Sequence, residues 1–266
     1  MPRPVTPGLP QHQILLDQLV VHTAEPLAAD HRLLVELKDL GRDMNLRLGL
    51  AATSEPIHVH LFQHESAYQD FLRAYFPGFP YRRAFFLETD TRLAVYAYWG
   101  DRVAEDLRHE VAHGYLHAAV PNLPLWLDEG LAEYFEVARN QSGVNAPHVR
   151  ELREALVTGR WKPDLVRMEQ LTSASELSQR DYAEAWLWVH WMLHHADNVA
   201  GTADPRTAAK RTADNQPDKK IQVLQKYLAR LKSSTEPVPP LSQILPGSAG
   251  DWNTQVLRHL QGMMEE

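Results

Sequence analysis

Cysteine is absent from the 266 residues. That removes disulfides, thiol nucleophiles and cysteine-rich zinc sites together. The absence suits a cell-envelope or secreted protein, where a stray thiol is a liability, somewhat better than a cytosolic one, and it leaves the compartment open. No run approaches the roughly 18 apolar residues that a membrane helix needs, so no transmembrane segment is expected. Basic charge is not in excess: the net charge is −7 and the isoelectric point about 6.0. This balance argues against nucleic acid or an anionic membrane as the main partner. The opening MPRPVTPGLP holds four prolines and no apolar core, so it reads as a flexible leader and not as a signal peptide. A chain that starts just after a removed signal or lipidated cysteine would look the same. No internal repeat of 20 to 50 residues is evident, which excludes a solenoid reading. Nothing in the sequence speaks to oligomeric state.

What is present is an ordered series of periodic segments. Leu19 to His22 is a strand candidate. Between Asp30 and Leu50, Leu33, Leu34, Leu37, Leu40, Met44 and Leu48 recur at helical steps. Ile57 to Phe62 alternates with period two, as a strand with one wet face does. Ser66 to Phe76 reads as a helix stopped by Pro77-Gly78. Two β-rich runs, Ala84 to Glu88 and Leu93 to Trp99, flank Thr89-Asp90-Thr91 as a hairpin. From there the pattern is helical: Glu105 to Ala119, Pro124 to Arg139, Pro147 to Val157, Tyr182 to His195 and Gln222 to Leu231. The polar stretch 201–220 is expected to be a mobile loop. Strands gathered early and helices late predict an α+β fold, a small mixed N-terminal sheet with helices followed by a mainly helical part. The expected organisation is a leader at 1–13, one domain at 14–232, and a Pro-rich linker with a short helical tail at 233–266.

The chain holds 14 histidines, its abundant soft-metal ligands. Two of them stand in His109-Glu110-Val111-Ala112-His113, an H-E-x-x-H match. Four residues are about 400° of helical turn, so both imidazoles leave one face and can reach a single zinc. Glu110 stands beside them, placed to take a proton from a water that the metal acidifies. With so many histidines the pentapeptide alone arises by chance in roughly one chain in twenty, and a third ligand is required.

The downstream run Leu125-Trp126-Leu127-Asp128-Glu129-Gly130-Leu131-Ala132-Glu133-Tyr134 resembles the segment that follows H-E-x-x-H in aminopeptidase N-like gluzincin peptidases. The nearest likeness is to the peptidase MA-like bacterial domains, many of unknown function, and it covers roughly residues 55 to 200. The resemblance implies a zincin-like fold, a peptide or protein substrate, and Zn2+ held by His109, His113 and Glu129. The spacing from His113 to Glu129 is a few residues shorter than in aminopeptidase N, which demands a tighter connection. In thermolysin-like relatives a carboxylate four residues after the ligand glutamate orients a zinc-binding histidine. Glu133 stands at that position, and a plain solvated helix carboxylate is the competing reading. Asp181-Tyr182-Ala183-Glu184-Ala185-Trp186 is similar to the start of a later helix in the same domains. Tyr182 there either binds the developing oxyanion or packs its ring in the core. The run Leu93 to Trp99 resembles the edge strand that zincins offer to extended substrates, or is an ordinary aromatic-rich strand. No Gly-x-Met-Glu-Asn-like segment is present, so nothing marks an aminopeptidase.

Other histidines compete weakly. His190 and His194 also stand four apart but lack a following glutamate, and a helix C-terminus favours histidine through its dipole. His117 extends the stripe of His109 and His113, about 12 Å from the first, too far for one shared ion. Position 119 is alanine, against a metzincin. His58 and His60 are expected to face solvent or serve structure. The functional expectation is a zinc-dependent hydrolase with Glu110 as general base. The alternative is a module that binds zinc for structure or for a partner, which would not need Glu110.

Overall fold

The structure, a computed structural model, describes residues 8–194 and 219–263. These fall into two compact units, one within Met1–Leu46 and Ala51–Pro121, the other within Arg47–Leu50 and Asn122–Glu266. The class is α+β, with a small mixed sheet near the N-terminus and helices after it. Among the described residues no helix is long and apolar enough to cross a membrane.

The first unit is built on five strands: β1 (His12–Leu16), β2 (Leu19–Thr23), β3 (Ile57–Phe62), β4 (Ala84–Thr89) and β5 (Arg92–Tyr98). Their order is β1-β2-β3-β5-β4. β2, β3 and β5 run parallel, while β1 and β4 fold back antiparallel through tight turns. β1 begins inside the span expected as leader. It is short and mostly exposed, and Asp17, just after it, takes φ +52° in the turn to β2.

Register explains the two faces. Leu19, Ile57 and Leu93 align across three strands, as do Val21, Val59 and Val95, and all six are buried. Against this layer lies α3 (Val103–Ala119), in contact with β3, β4 and β5. Gly114 makes that approach possible: a Cβ there would lie 2.8 Å from Ile57 Cγ2. On the opposite face, Phe62, Phe85 and Tyr96 pack with Tyr68, Phe71 and Leu72 of α2 (Glu65–Tyr75). A strand covered on both faces reads as a continuous apolar run, not as clean alternation. That is why His60, in a segment expected to have a wet face, is 2% exposed and stacked between His22 and Tyr96. The remaining helix of this part is α1 (Arg32–Leu48), which the period of its leucines had placed within two residues at either end.

The run Leu93 to Trp99 is not an edge strand. β5 is paired on both sides, to β3 and to β4, and five of its seven residues are buried. The edge on that side is β4, whose last residues are exposed.

The second unit gathers around α7 (Gln179–Leu193), which is buried almost all round, as its run of apolar and tryptophan residues requires. α4 (Leu125–Phe135), α5 (Ala146–Val157), the one-turn α6 (Leu165–Met168), α8 (Lys219–Ser233) and α9 (Ala249–Gly262) all touch it. α9 is the expected helical tail, and it buries Trp252, Val256 and Leu260. The segment expected as a mobile loop lies outside the described residues, except for its last two positions, which open α8.

Candidate metal centre

Helix α3 carries the H-E-x-x-H residues. It opens with Glu105 and Asp106, where acidic side chains favour the positive end of the helix dipole. His109 and His113 lie on consecutive turns of one face, and their Nε2 atoms are 3.2 Å apart. Two ligands at roughly 2.0–2.1 Å from one tetrahedral ion stand about 3.3–3.4 Å apart, so this pair has the spacing of co-ligands. His113 is buried, and His109 and Glu110 are half-buried.

The edge strand supports the same helix face. Phe86 of β4 stacks over His113 at 6.0 Å and meets His117 edge-on at 4.9 Å. Glu88, two residues on and therefore on the same face of β4, accepts from His117 Nδ1 at 2.6 Å. His117 is thus tied to the sheet, an arrangement that helical spacing alone did not reveal.

Helix α4 carries Asp128, Glu129 and Glu133, and Glu136 follows as its C-cap. Asp128 and Glu129 are buried, the second with 9% of its surface exposed. Their position is fixed by close packing on α7: a Cβ at Gly130 would lie 2.5 Å from the Ala185 carbonyl oxygen. Glu133 Oε2 accepts from His148 Nε2 at 2.7 Å, and Asn145 donates to Glu136 Oε1 at 2.9 Å. Asn145 also caps α5 through a bond from the His148 amide. Sequence reasoning missed both partners, although Asn145 before Ala146-Pro147 is a readable cap signal.

Side chains of metal-binding type gather in each unit by itself: His109, His113 and His117 on α3 in the first, and Asp128, Glu129, Glu133 and Glu136 in the second. The expected ligands are His109 and His113 of the first group and Glu129 of the second. Tyr182 lies on the first turns of α7 and is half-buried.

His190 and His194 enter none of these groups. They stack face to face with centroids 4.1 Å apart, His190 Nδ1 meets His259 Nε2 at 2.7 Å, and His194 Nε2 meets Tyr134 Oη at 2.8 Å. The dipole reading of this pair does not hold. Burial first, then neighbouring Arg47, Lys220 and the other imidazoles, depress all three histidines below their ordinary range, so they sit neutral in the core.

A family model described as a protein of unknown function, DUF1570, matches residues 103–205. This span begins at the first residue of α3 and includes the whole of α4 and α7. No curated protein matches the chain.

Proposed function

We propose that the chain is a zinc-dependent hydrolase of the zincin type, acting on peptide bonds, with His109, His113 and Glu129 as metal ligands. The observation that carries this reading is the 3.2 Å separation of the His109 and His113 Nε2 atoms on one helix face, with Glu110 between them in sequence. Two imidazoles and a carboxylate suit zinc, and three protein ligands leave the open position that a catalytic site needs. Support also comes from β4, which lies beside α3 at the edge of the sheet among the described residues, where an extended substrate can pair with a strand.

A bound zinc supplies Lewis acidity and an acidified water. In this reading Glu110 takes the proton from the attacking water and delivers it to the leaving amine. Tyr182 donates its hydroxyl to the oxyanion. Glu133, with His148 donating to it, keeps His109 in one tautomer. A structural zinc module has no use for Glu110, which is why the catalytic reading is preferred to it.

The deciding experiment combines elemental analysis of untagged protein with hydrolysis of a peptide library. Wild type is expected to carry about one zinc per chain and to cleave. Glu110→Gln keeps the metal and loses cleavage, while His113→Ala and Glu129→Ala lose both. Undiminished metal in Glu129→Ala would overturn the ligand assignment. Zinc in the wild type with no cleavage of any peptide would favour the non-catalytic module.

A further inference from the structure

The second unit contains an open cavity of about 530 Å³ that plays no part in the metal chemistry. It lies where α6 and the start of α7 meet the segment 159–164. Its size falls within the roughly 300–1,000 Å³ of small-molecule sites. Four cations line it: Arg160, Lys162, Arg167 and Arg180.

What distinguishes this wall from a merely solvated basic rim is the state of its donors and acceptors. Arg167 is anchored from behind. One terminal nitrogen reaches the fully buried Glu184 carboxylate at 2.8 Å and Asp181 at 2.7 Å. Glu184 is itself fixed by Trp161 Nε1 at 2.8 Å and by the Asp164 amide at 2.6 Å. The Arg167 guanidinium is therefore held in place while its Nε and second terminal nitrogen stay unspent. Arg180 uses only Nε, on Glu151 at 3.1 Å, and both its terminal nitrogens are unspent. Lys162 has no partner among the described residues.

The acidic groups of the wall, in contrast, are largely occupied. Asp181 has one oxygen on Arg167, and the other accepts from the Ser178 amide and hydroxyl at 2.7 and 2.6 Å. Asp164 spends Oδ1 in capping α6, at 3.0 Å from the Arg167 amide. The cavity thus offers several free charged donors and few free acceptors. Oxyanions are what such a wall recognises, and an anchored arginine loses little freedom in binding one.

We propose that this cavity binds the oxyanion group, phosphate or carboxylate, of a small ligand, with Lys162, Arg167 and Arg180 as donors. The test is isothermal titration of the full-length protein at constant ionic strength with two matched probes, phenyl phosphate and phenylacetate. Wild type and the Lys162→Gln/Arg180→Gln double variant are compared. Both positions are at the surface or half-buried, so an unchanged far-ultraviolet spectrum and melting temperature are expected of the variant. Should the double variant fold poorly, single Lys162→Glu serves in its place. Saturable binding of at least one probe in the millimolar range or tighter, weakened about tenfold or more in the variant, supports the proposal. The tighter probe then identifies the group as phosphate or carboxylate. Absence of saturable binding by both probes up to about 10 mM, or equal affinity in wild type and variant, overturns it.

Discussion

Gly130 faces the Ala185 carbonyl oxygen so closely that a Cβ at position 130 would stand 2.5 Å from it and 2.9 Å from Val189 Cγ2. The atom in the way is backbone of a helix buried almost all round, so it cannot swing aside as a side chain tip does. Gly130→Ala must therefore push α4 off α7. We expect a loss of about 1–3 kcal/mol or more, the usual penalty of overpacking, read as a lower urea midpoint. Because Glu129 is the neighbouring residue, zinc content should fall as well. An unchanged midpoint would mean that α4 is not held as tightly as its geometry implies.

Zinc should stabilise the fold by mass action. At a free concentration one hundred times Kd the gain is about 2.7 kcal/mol. Dialysis against a chelator is expected to lower the melting temperature and zinc to restore it, with calcium ineffective because the donor set contains two imidazoles. His113→Ala should show no response to zinc. If wild type melts identically with and without the metal, the ligand assignment fails independently of any activity assay.

Stability should also fall in acid through His60. Desolvation by burial, followed by the charges of His22, His58 and Arg92, lowers its pKa from 6.5 to about 3. Both ring nitrogens are buried without a partner. The unfolded chain takes up a proton near pH 6.5 and the folded chain does not. The stabilisation is therefore complete above pH 6.5 and is lost as pH falls from there toward 3. The slope per histidine approaches 1.4 kcal/mol per pH unit. His60→Phe, which keeps a ring between His22 and Tyr96, should flatten the stability profile between pH 6 and 4 by about one proton's worth. A parallel profile in the variant would exclude His60 as a source of acid sensitivity.

Glu184 is a buried carboxylate that serves four donors: Trp161, Trp188, Arg167 and the Asp164 amide. Glu184→Ala leaves the two indole N–H groups and the Asp164 amide without their acceptor, while Arg167 keeps Asp181. The expected cost is about 1–3 kcal/mol, the usual penalty of leaving buried donors unsatisfied. Glu184→Gln keeps an acceptor oxygen and should cost less. Equal effects of the two substitutions, read in chemical denaturation, would show that the side chain matters here for its volume and not for its charge.

His148→Ala should separate two readings of Glu133. If Glu133 orients a metal-binding histidine, freeing it from His148 weakens zinc affinity by about 10–100-fold, the usual effect of losing such support. A plain helix carboxylate would leave zinc affinity untouched. Competition against a chromophoric chelator measures the difference.

Local periodicity made most elements readable, because four-residue steps and two-residue alternation belong to the helix and strand themselves. The pair His109 and His113 is legible for the same reason: their shared face follows from helical geometry before any neighbour is known. Glu129 came through resemblance of a longer segment, since no local period points to it. Strand order was not legible. β4 and β5 form a hairpin in either arrangement, and only the pairing of β5 with β3, across more than thirty residues of chain, decides which of them keeps a free edge. Burial of His60 and the neutral stack of His190, His194 and His259 were hidden likewise, since a polar residue in an alternating or helix-end pattern is read as wet until a second layer is known to cover it. The sequence by itself determined most of the helices and strands and the shared α3 face of His109 and His113. Tertiary structure alone decided the sheet edge, the partners of Glu133 and Arg167, and the histidines held neutral, because each depends on groups brought together from distant parts of the chain.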